Sequence, residues 1–596
     1  MAERRFSGNG KHQPMFMILI QWCYFAVTAF LTGFAVLMPF AGKNGFRIRY
    51  FTSYLMAGLL VLNVYAQYFS LFAGVGLWAN VAVMVFDGAA AVILREKILL
   101  FLKKKSGETG RGLRLLYGFL VLLFAYGCSR GYMHYDTGLY HAQSIRWIEE
   151  YGVVPGLANL HNRFGYNSAA FALCALYGGA GLTKYPMHCV QGFFALICAV
   201  KCTALCRLPK RGRVCLSDFI LVGCVFYLVA VFRELVAPAS DYFAMLILFF
   251  TLMCWAELIE RGEKEILPYA LLSLYLVYAA TVKLSTAVIL VLVLHPAVLL
   301  IRQRKWKQIA GYIGLGILIA FPYLVRNVLI SGWLFYPFTF FDVFPVDWKI
   351  SKGYADCDAA EIQVYAKEIF DVYQKNKPFG EWFPNWLSAQ TALDRVLVGA
   401  GWTALFAGLI LMAVTVLRAW SGKKRKTALA ADKSAEAERT ERSRTMAGIN
   451  SWDFVLLEGT AVLGFVFWQF GAPLVRYGYF YVLFLPLVTF GAVYVQFMGR
   501  GKGFSIFGAL LVAFLFYRSY NLVNMVLELW NQPYYIYQQD YGAYPYETYD
   551  VDGVTVYVPT DRGQIGYDLF PSSPIVQDIE LRDGSAVESG FRQKSR

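Results

Sequence analysis

Charge is scarce in this sequence. Of 596 residues, 16% are Asp, Glu, Lys or Arg, while 58% are hydrophobic. A water-soluble fold has too little interior to hide that much apolar surface. Cysteine is not patterned either. Most of the 11 cysteines lie inside apolar runs (Cys189, Cys198, Cys202, Cys224, Cys254), and Cys357 is the clear exception, in a polar loop. No paired spacing suggests a zinc site or a disulfide framework. The first apolar run, from Met15 to Met38, is too long for a signal peptide and has no small-residue cleavage pattern, so it reads as a retained span.

What the sequence has instead is a series of long apolar runs, the mark of a polytopic membrane protein. Lipid requires every backbone polar group to be satisfied within the chain, and unbroken runs of this length mean helices. Spans are predicted at about 15–38, 51–73, 76–94, 115–129, 187–206, 216–233, 242–259, 267–282, 284–301, 308–329, 396–417, 452–470, 475–497 and 503–527. The fold class is therefore all-α and polytopic, a bundle of about 12–14 transmembrane helices with juxtamembrane helices and a small C-terminal β element.

The net charge of +15 does not point to nucleic acid. The basic residues cluster between apolar runs, in "REKILLFLKKK", "RLPKRGR", "RQRKWK" and "KKRK", as in cytoplasmic loops. The loops 95–114, 207–215, 302–307, 418–450 and 498–502 then lie on the cytoplasmic side. The loop holding Asp136, the stretch from Pro238 to Asp241, the loop 331–395, Arg476 and the tail after 528 lie on the other. "AAFALCALYGGAGL" is too short to span without breaking that alternation, and is expected to dip into the membrane or pack on the bundle. The linker 418–450 is charged and poor in large apolar residues. "YDVDGVTVYVPT" alternates around Asp-Gly and predicts a β-hairpin in the tail 528–596. The remaining divisions are added N-terminal helices over 1–112, a core over 113–330 with its first outer loop at 130–166, and C-terminal helices over 396–527.

The outer face gathers the chemistry. "DTGLYHAQSIRWIEEYG" reads as an amphipathic interfacial helix beginning at Asp136. Asp241 starts a span, Lys283 stands between two apolar runs, Arg326 and Asn327 end a span, and Arg476 begins another. Taken singly, each acid suits a helix cap and each cation an interfacial anchor. Together they form two acids and three cations on one surface. A carboxylate takes a proton from an attacking hydroxyl, and cations stabilise charge developing on a phosphate leaving group. Two acids also suit a divalent cation such as Mg or Mn, which their spacing leaves open. His134, His141 and His161 are further candidates, although a lone loop histidine is seldom a ligand. Glu458, inside "FVLLEGTAVLGF", fits no such site.

Several stretches resemble the GT-C class of polytopic glycosyltransferases, in particular bacterial members distantly similar to aminoarabinose transferases and protein mannosyltransferases. They are "YDTGLYHAQSIRWIEEYG", "SDYFAMLILFFTL", "ATVKLSTAVILVLVL", "PYLVRNVLISGWLFYPF" and "RYGYFYVLFLP", spread over roughly 113–500. The resemblance implies Asp136 as catalytic base and Asp241 as a supporting acid or metal ligand. It implies that Arg163, in "NLHNRFGYNS", binds a lipid phosphate, with His141, Lys283, Arg326, Asn327 and Arg476 as further substrate-binding residues. It implies a polyprenyl-phosphate-linked sugar donor and a glycan, lipid or protein acceptor, at the extracytoplasmic face of a bacterial cytoplasmic membrane. The single acid followed by Thr137, where many relatives carry Asp-Glu, puts a metal requirement in question. An O-antigen polymerase or ligase, and a transporter or flippase, are the competing readings. The first would rely on arginines, and the second on ionisable residues near the bilayer midplane.

Overall fold

The computed structural model describes residues 14–40, 48, 50–130, 133–183, 186–429, 449–532, 534, 545–560, 563–584 and 586–594. Helices stand at all fourteen predicted span positions. In chain order the principal helices begin with α1 Pro14–Leu37, α2 Phe51–Phe69, α3 Leu77–Ile93, α4 Arg95–Glu108 and α5 Arg111–Ser129. Next come α6 Ala142–Glu150, α7 Ala169–Gly178, α8 Val190–Cys202, α9 Leu216–Ala230, α10 Ser240–Glu260 and α11 Ile266–Val282. The series ends with α12 Leu294–Arg302, α13 Trp306–Ser331, α14 Lys352–Ala366, α15 Phe379–Ala389, α16 Ala392–Leu429, α17 Ser451–Gly471, α18 Val475–Met498 and α19 Gly501–Leu529. A 3-10 helix, Leu284–Val293, leads into α12. The chain is a multi-pass, all-α membrane protein.

Among the described residues, ten helical stretches are long and apolar enough to cross a bilayer, or eleven if the bent pair α3–α4 counts as one. The count falls below 12–14 because α9 and α11 are short, α2 is less apolar, and α3 reaches the length only together with α4. The 15 residues of α9 rise about 22 Å, less than a hydrocarbon core of about 30 Å. The segment 95–108, expected as a loop, is helical and turns 81° from α3. Every residue of α7 is buried, so the short apolar run after Asn167 packs inside the bundle. Most of the linker 418–450 lies outside the described residues, with α16 continuing to Leu429.

Helix packing is closest between α1 and α2. A Cβ added at Gly58 would stand 1.8 Å from the carbonyl oxygen of Ala29, and one at Gly33 1.9 Å from that of Tyr54. Without a hydrophobic drive between helices in lipid, such small residues let backbones approach and gain dispersion contacts.

Two of the basic loops gather at one end of the bundle. The basic loops 207–215 and 498–502 meet through Val214 N–H and the Gly499 carbonyl, 2.9 Å apart. The tail returns to the loop 130–166 at the opposite end. The hairpin β1 Tyr546–Val551 and β2 Val554–Pro559 pairs Val551 with Val554. Its turn places Asp552 and Gly553 at φ 50° and 90°, the left-handed pair that such a two-residue turn needs. A second hairpin, β3 Ile579–Leu581 with β4 Phe591–Gln593, was not legible. Both bury apolar residues with Trp147, Leu157 and Leu160 of the first loop.

Candidate active site

Asp136 precedes a π-helical turn, Thr137–His141, which leads directly into α6. Wider turns of this kind displace the backbone from the regular ladder and recur at functional sites. The Asp136 side chain makes no capping bond. Its Oδ2 instead accepts from Arg476 Nη2 at 3.1 Å, and its Oδ1 has no hydrogen bond among the described residues. Arg476 reaches it from the first turn of α18.

Asp241 lies in the first turn of α10, again without capping it. The helix N-terminus favours its negative charge. Lys283 Nζ contacts its carboxylate directly, and Arg476 Nε stands 3.6 Å from its Oδ2. That distance is an ion pair rather than a hydrogen bond. Lys283 is placed by a break in the chain. Its backbone is extended between α11 and the 3-10 helix, so the side chain leaves the end of both. Its ammonium also lies 4.2 Å from the centre of the Tyr477 ring.

His134 contacts Arg476 through Nε2. A guanidinium only donates, so the imidazole faces it as an acceptor. Burial, and then Arg476 itself, hold the His134 pKa below the usual histidine value against the opposing pull of Asp136 and Asp241. His141 is 2% exposed, and burial pushes its pKa down to about 3. Among the described residues, its Nδ1 has no hydrogen-bond partner.

Asp136, Asp241, Lys283, Arg476, His134, His141 and Arg163 line one cavity of about 820 Å³. The aromatic-rich loop 331–395 closes part of it through Tyr336, Pro337, Phe338 and Phe370. Arg163 is on a 3-10 turn, Asn162–Gly165. Its Nη1 donates to Tyr166 Oη at 3.1 Å, and its Nη2 stands 3.7 Å from Glu361 Oε2 on α14. The anchor behind it is Asp358, which the sequence reading missed. Its carboxylate accepts from Tyr166 Oη at 2.6 Å, Tyr336 Oη at 2.7 Å and Asn162 Nδ2 at 3.1 Å. Asp358 is 2% exposed. No local signal singles it out, since Asp356 and Glu361 stand beside it on the same helix.

Two expected site residues lie elsewhere. Arg326 does not reach the cavity. It is 3% exposed and donates to Ser70 Oγ at 2.6 Å and Asn167 Oδ1 at 3.2 Å. Asn327 accepts from Asn167 Nδ2 at 2.9 Å and donates to the Leu334 carbonyl at 2.8 Å. Both tie α13 to the first loop. Sitting at the same end of the bundle did not settle which way α13 is rotated.

Among the described residues, no group of three or more His, Cys, Asp and Glu side chains stands close enough to hold a metal ion. The two acids carry Arg476 and Lys283 as counter-ions, and this donor set does not fit a divalent cation.

Residues 15–483 match the model of a family described as a domain of unknown function, DUF8201. The chain belongs to that family. The matched stretch includes every polar residue of the cavity named above, so the cavity lies within the DUF8201 region, whereas both tail hairpins lie beyond it. No curated protein matches the chain. No solved structure matches it.

Proposed function

We propose that this chain is a membrane glycosyltransferase. It moves a sugar from a polyprenyl-phosphate donor to a hydroxyl of a glycan, lipid or protein acceptor, on the extracytoplasmic face of a bacterial cytoplasmic membrane. The observation that carries the reading is the shared cavity, where Asp136 and Asp241 meet Lys283, Arg476 and Arg163.

The resting arrangement suggests how a donor is received. Arg476 and Lys283 each stand against carboxylates. A phosphate offers them a denser negative charge and more acceptor oxygens, and charge-assisted bonds to it outcompete one carboxylate bond. As Arg476 turns to the phosphate, Asp136 is released to act as a base. The acceptor oxygen attacks the anomeric carbon and gives its proton to Asp136. The bond from that carbon to the phosphate oxygen breaks, and its electron pair leaves on polyprenyl phosphate. Attack opposite the leaving group inverts the anomeric centre. Lys283, Arg476 and Arg163 stabilise the charge left on the phosphate. Lys283, Arg476 and Arg163 supply the positive charge at the phosphate that a metal would otherwise provide.

The topology supports the assignment of faces, since the cavity is formed at the end of the bundle away from the basic loops. The test is transfer by purified protein from radiolabelled polyprenyl-phosphate sugars to hydroxyl acceptors. Transfer from at least one donor is expected. Activity only with diphosphate-linked glycans would favour a polymerase or ligase, and no transfer with either would overturn the reading.

A further inference from the structure

The helices that carry the outer cavity hold a second one at their other ends. Asp241 opens α10, while Cys254, Glu257 and Leu258, in its last turns, line a separate cavity of about 810 Å³. Along α10, Glu257 stands about 24 Å from Asp241. The second cavity is therefore at the basic-loop end, and none of its residues belongs to the site described above.

Its floor is apolar and aromatic, built from Phe34, Tyr54, Phe250, Leu271 and Tyr275. Helix α4 lies against it. Phe101 of α4 packs 5.8 Å from the Phe34 ring and 5.0 Å from that of Tyr54. The opposite face of α4 exposes Leu99 and Leu100. A basic helix turned sharply from its predecessor, with exposed leucines between lysines, suits the bilayer interface.

The rim is charged. Lys104 and Lys105 both pair with Glu108, and Arg207 lies within electrostatic reach of the same acid. Glu257 is likewise shared, by the buried Lys201 and by Arg261. Lys97 and Arg207 have no ion pair among the described residues. Positive charge thus remains in excess despite Glu263 and Glu265 on the far rim.

We propose that this cavity is a binding site for a phospholipid. Lys97, Lys104 and Arg207 hold its phosphate, and the aromatic floor receives its acyl chains. A free phosphate would use the rim and leave the floor unoccupied, whereas an amphiphile uses both. Basic pockets between transmembrane helices on the cytoplasmic side bind lipid headgroups by this division of labour. The site is independent of the glycosyltransferase reading.

The test is native mass spectrometry on the purified, delipidated full-length protein titrated with dioleoyl-phosphatidylglycerol, with and without inorganic phosphate. The Lys97→Gln/Arg207→Gln variant should bind the lipid about tenfold more weakly. Leu271→Trp, which fills the floor and leaves the rim intact, should weaken it as well. Lys97→Arg/Arg207→Lys keeps the charge and should bind as the wild type does, which separates lost recognition from lost folding. Inorganic phosphate should not displace the lipid. Equal binding by the wild type and the Gln variant, or full displacement by phosphate, would overturn the proposal.

Discussion

Arg476 donates through Nη2 to Oδ2 of Asp136 across 340 residues of sequence, at 3.1 Å. The same guanidinium stands 3.6 Å from Asp241. One side chain at the start of α18 therefore sets the spacing of both acids. Replacing it with methionine should leave the acids without their shared counter-ion and the donor phosphate without its strongest ligand. Transfer should fall by about two to three orders of magnitude. Arg476→Lys should recover only part, since a point charge cannot serve both acids in a fork. Steady-state rates of the two variants check this.

Asp358 should act through Arg163 rather than on substrate. Asp358→Ala leaves three donors around a buried position without their acceptor, at a cost of about 1–3 kcal/mol for each one left unsatisfied. The expected signature is a lowered unfolding temperature together with a KM for the donor that rises more than kcat falls. A proportionate loss in kcat alone would contradict a positioning role.

The histidines give a pH dependence whose sign is fixed. Burial holds His141 and His161 at about 3 in the folded protein, against about 6.5 in an unfolded chain. Above about 6.5 neither state binds the proton, so stability is unaffected. Between about 6.5 and 3 the unfolded chain takes up protons that the folded one refuses, and stability falls with pH by up to about 1.4 kcal/mol per unit for each histidine. Thermal unfolding in detergent should show this slope, and His141→Gln should reduce it while leaving the part due to His161.

The tail should be part of the folded outer module. Tyr567 Oη donates to Glu149 Oε2 at 2.9 Å, and His188 Nε2 stands 2.9 Å from the other oxygen. Tyr567→Phe removes one donor from a buried carboxylate and should cost about 1–3 kcal/mol. Limited proteolysis should then cut the tail faster than in the wild type, while the transmembrane helices stay protected.

Gly58 tests the N-terminal packing. A valine there must displace the Ala29 backbone, 1.8 Å from the new Cβ, so α1 and α2 must separate. The expected cost is about 1–3 kcal/mol, read as a lowered unfolding temperature.

The helices were legible because apolar length and interrupting charge are local properties, and the tail hairpin because Asp-Gly specifies its own turn. That Asp136, Asp241, Lys283 and Arg476 share one cavity was legible because each flanks an apolar run at the same end of the bundle. That rule failed for Arg326 and Asn327, whose direction depends on how α13 is turned against Ser70 and Asn167. Asp358 was missed because its three donors come from the first loop and from Tyr336, contacts that no local pattern encodes. The docking of the tail on residues 138–160 was hidden for the same reason. It joins segments more than 400 residues apart.

The most direct test of the account is sugar transfer by the wild type and by Asp136→Asn, with folding checked by thermal unfolding. The substitution keeps the shape and removes the base. The account predicts a folded variant whose transfer is lower by about three orders of magnitude. Equal transfer by the two proteins would contradict it.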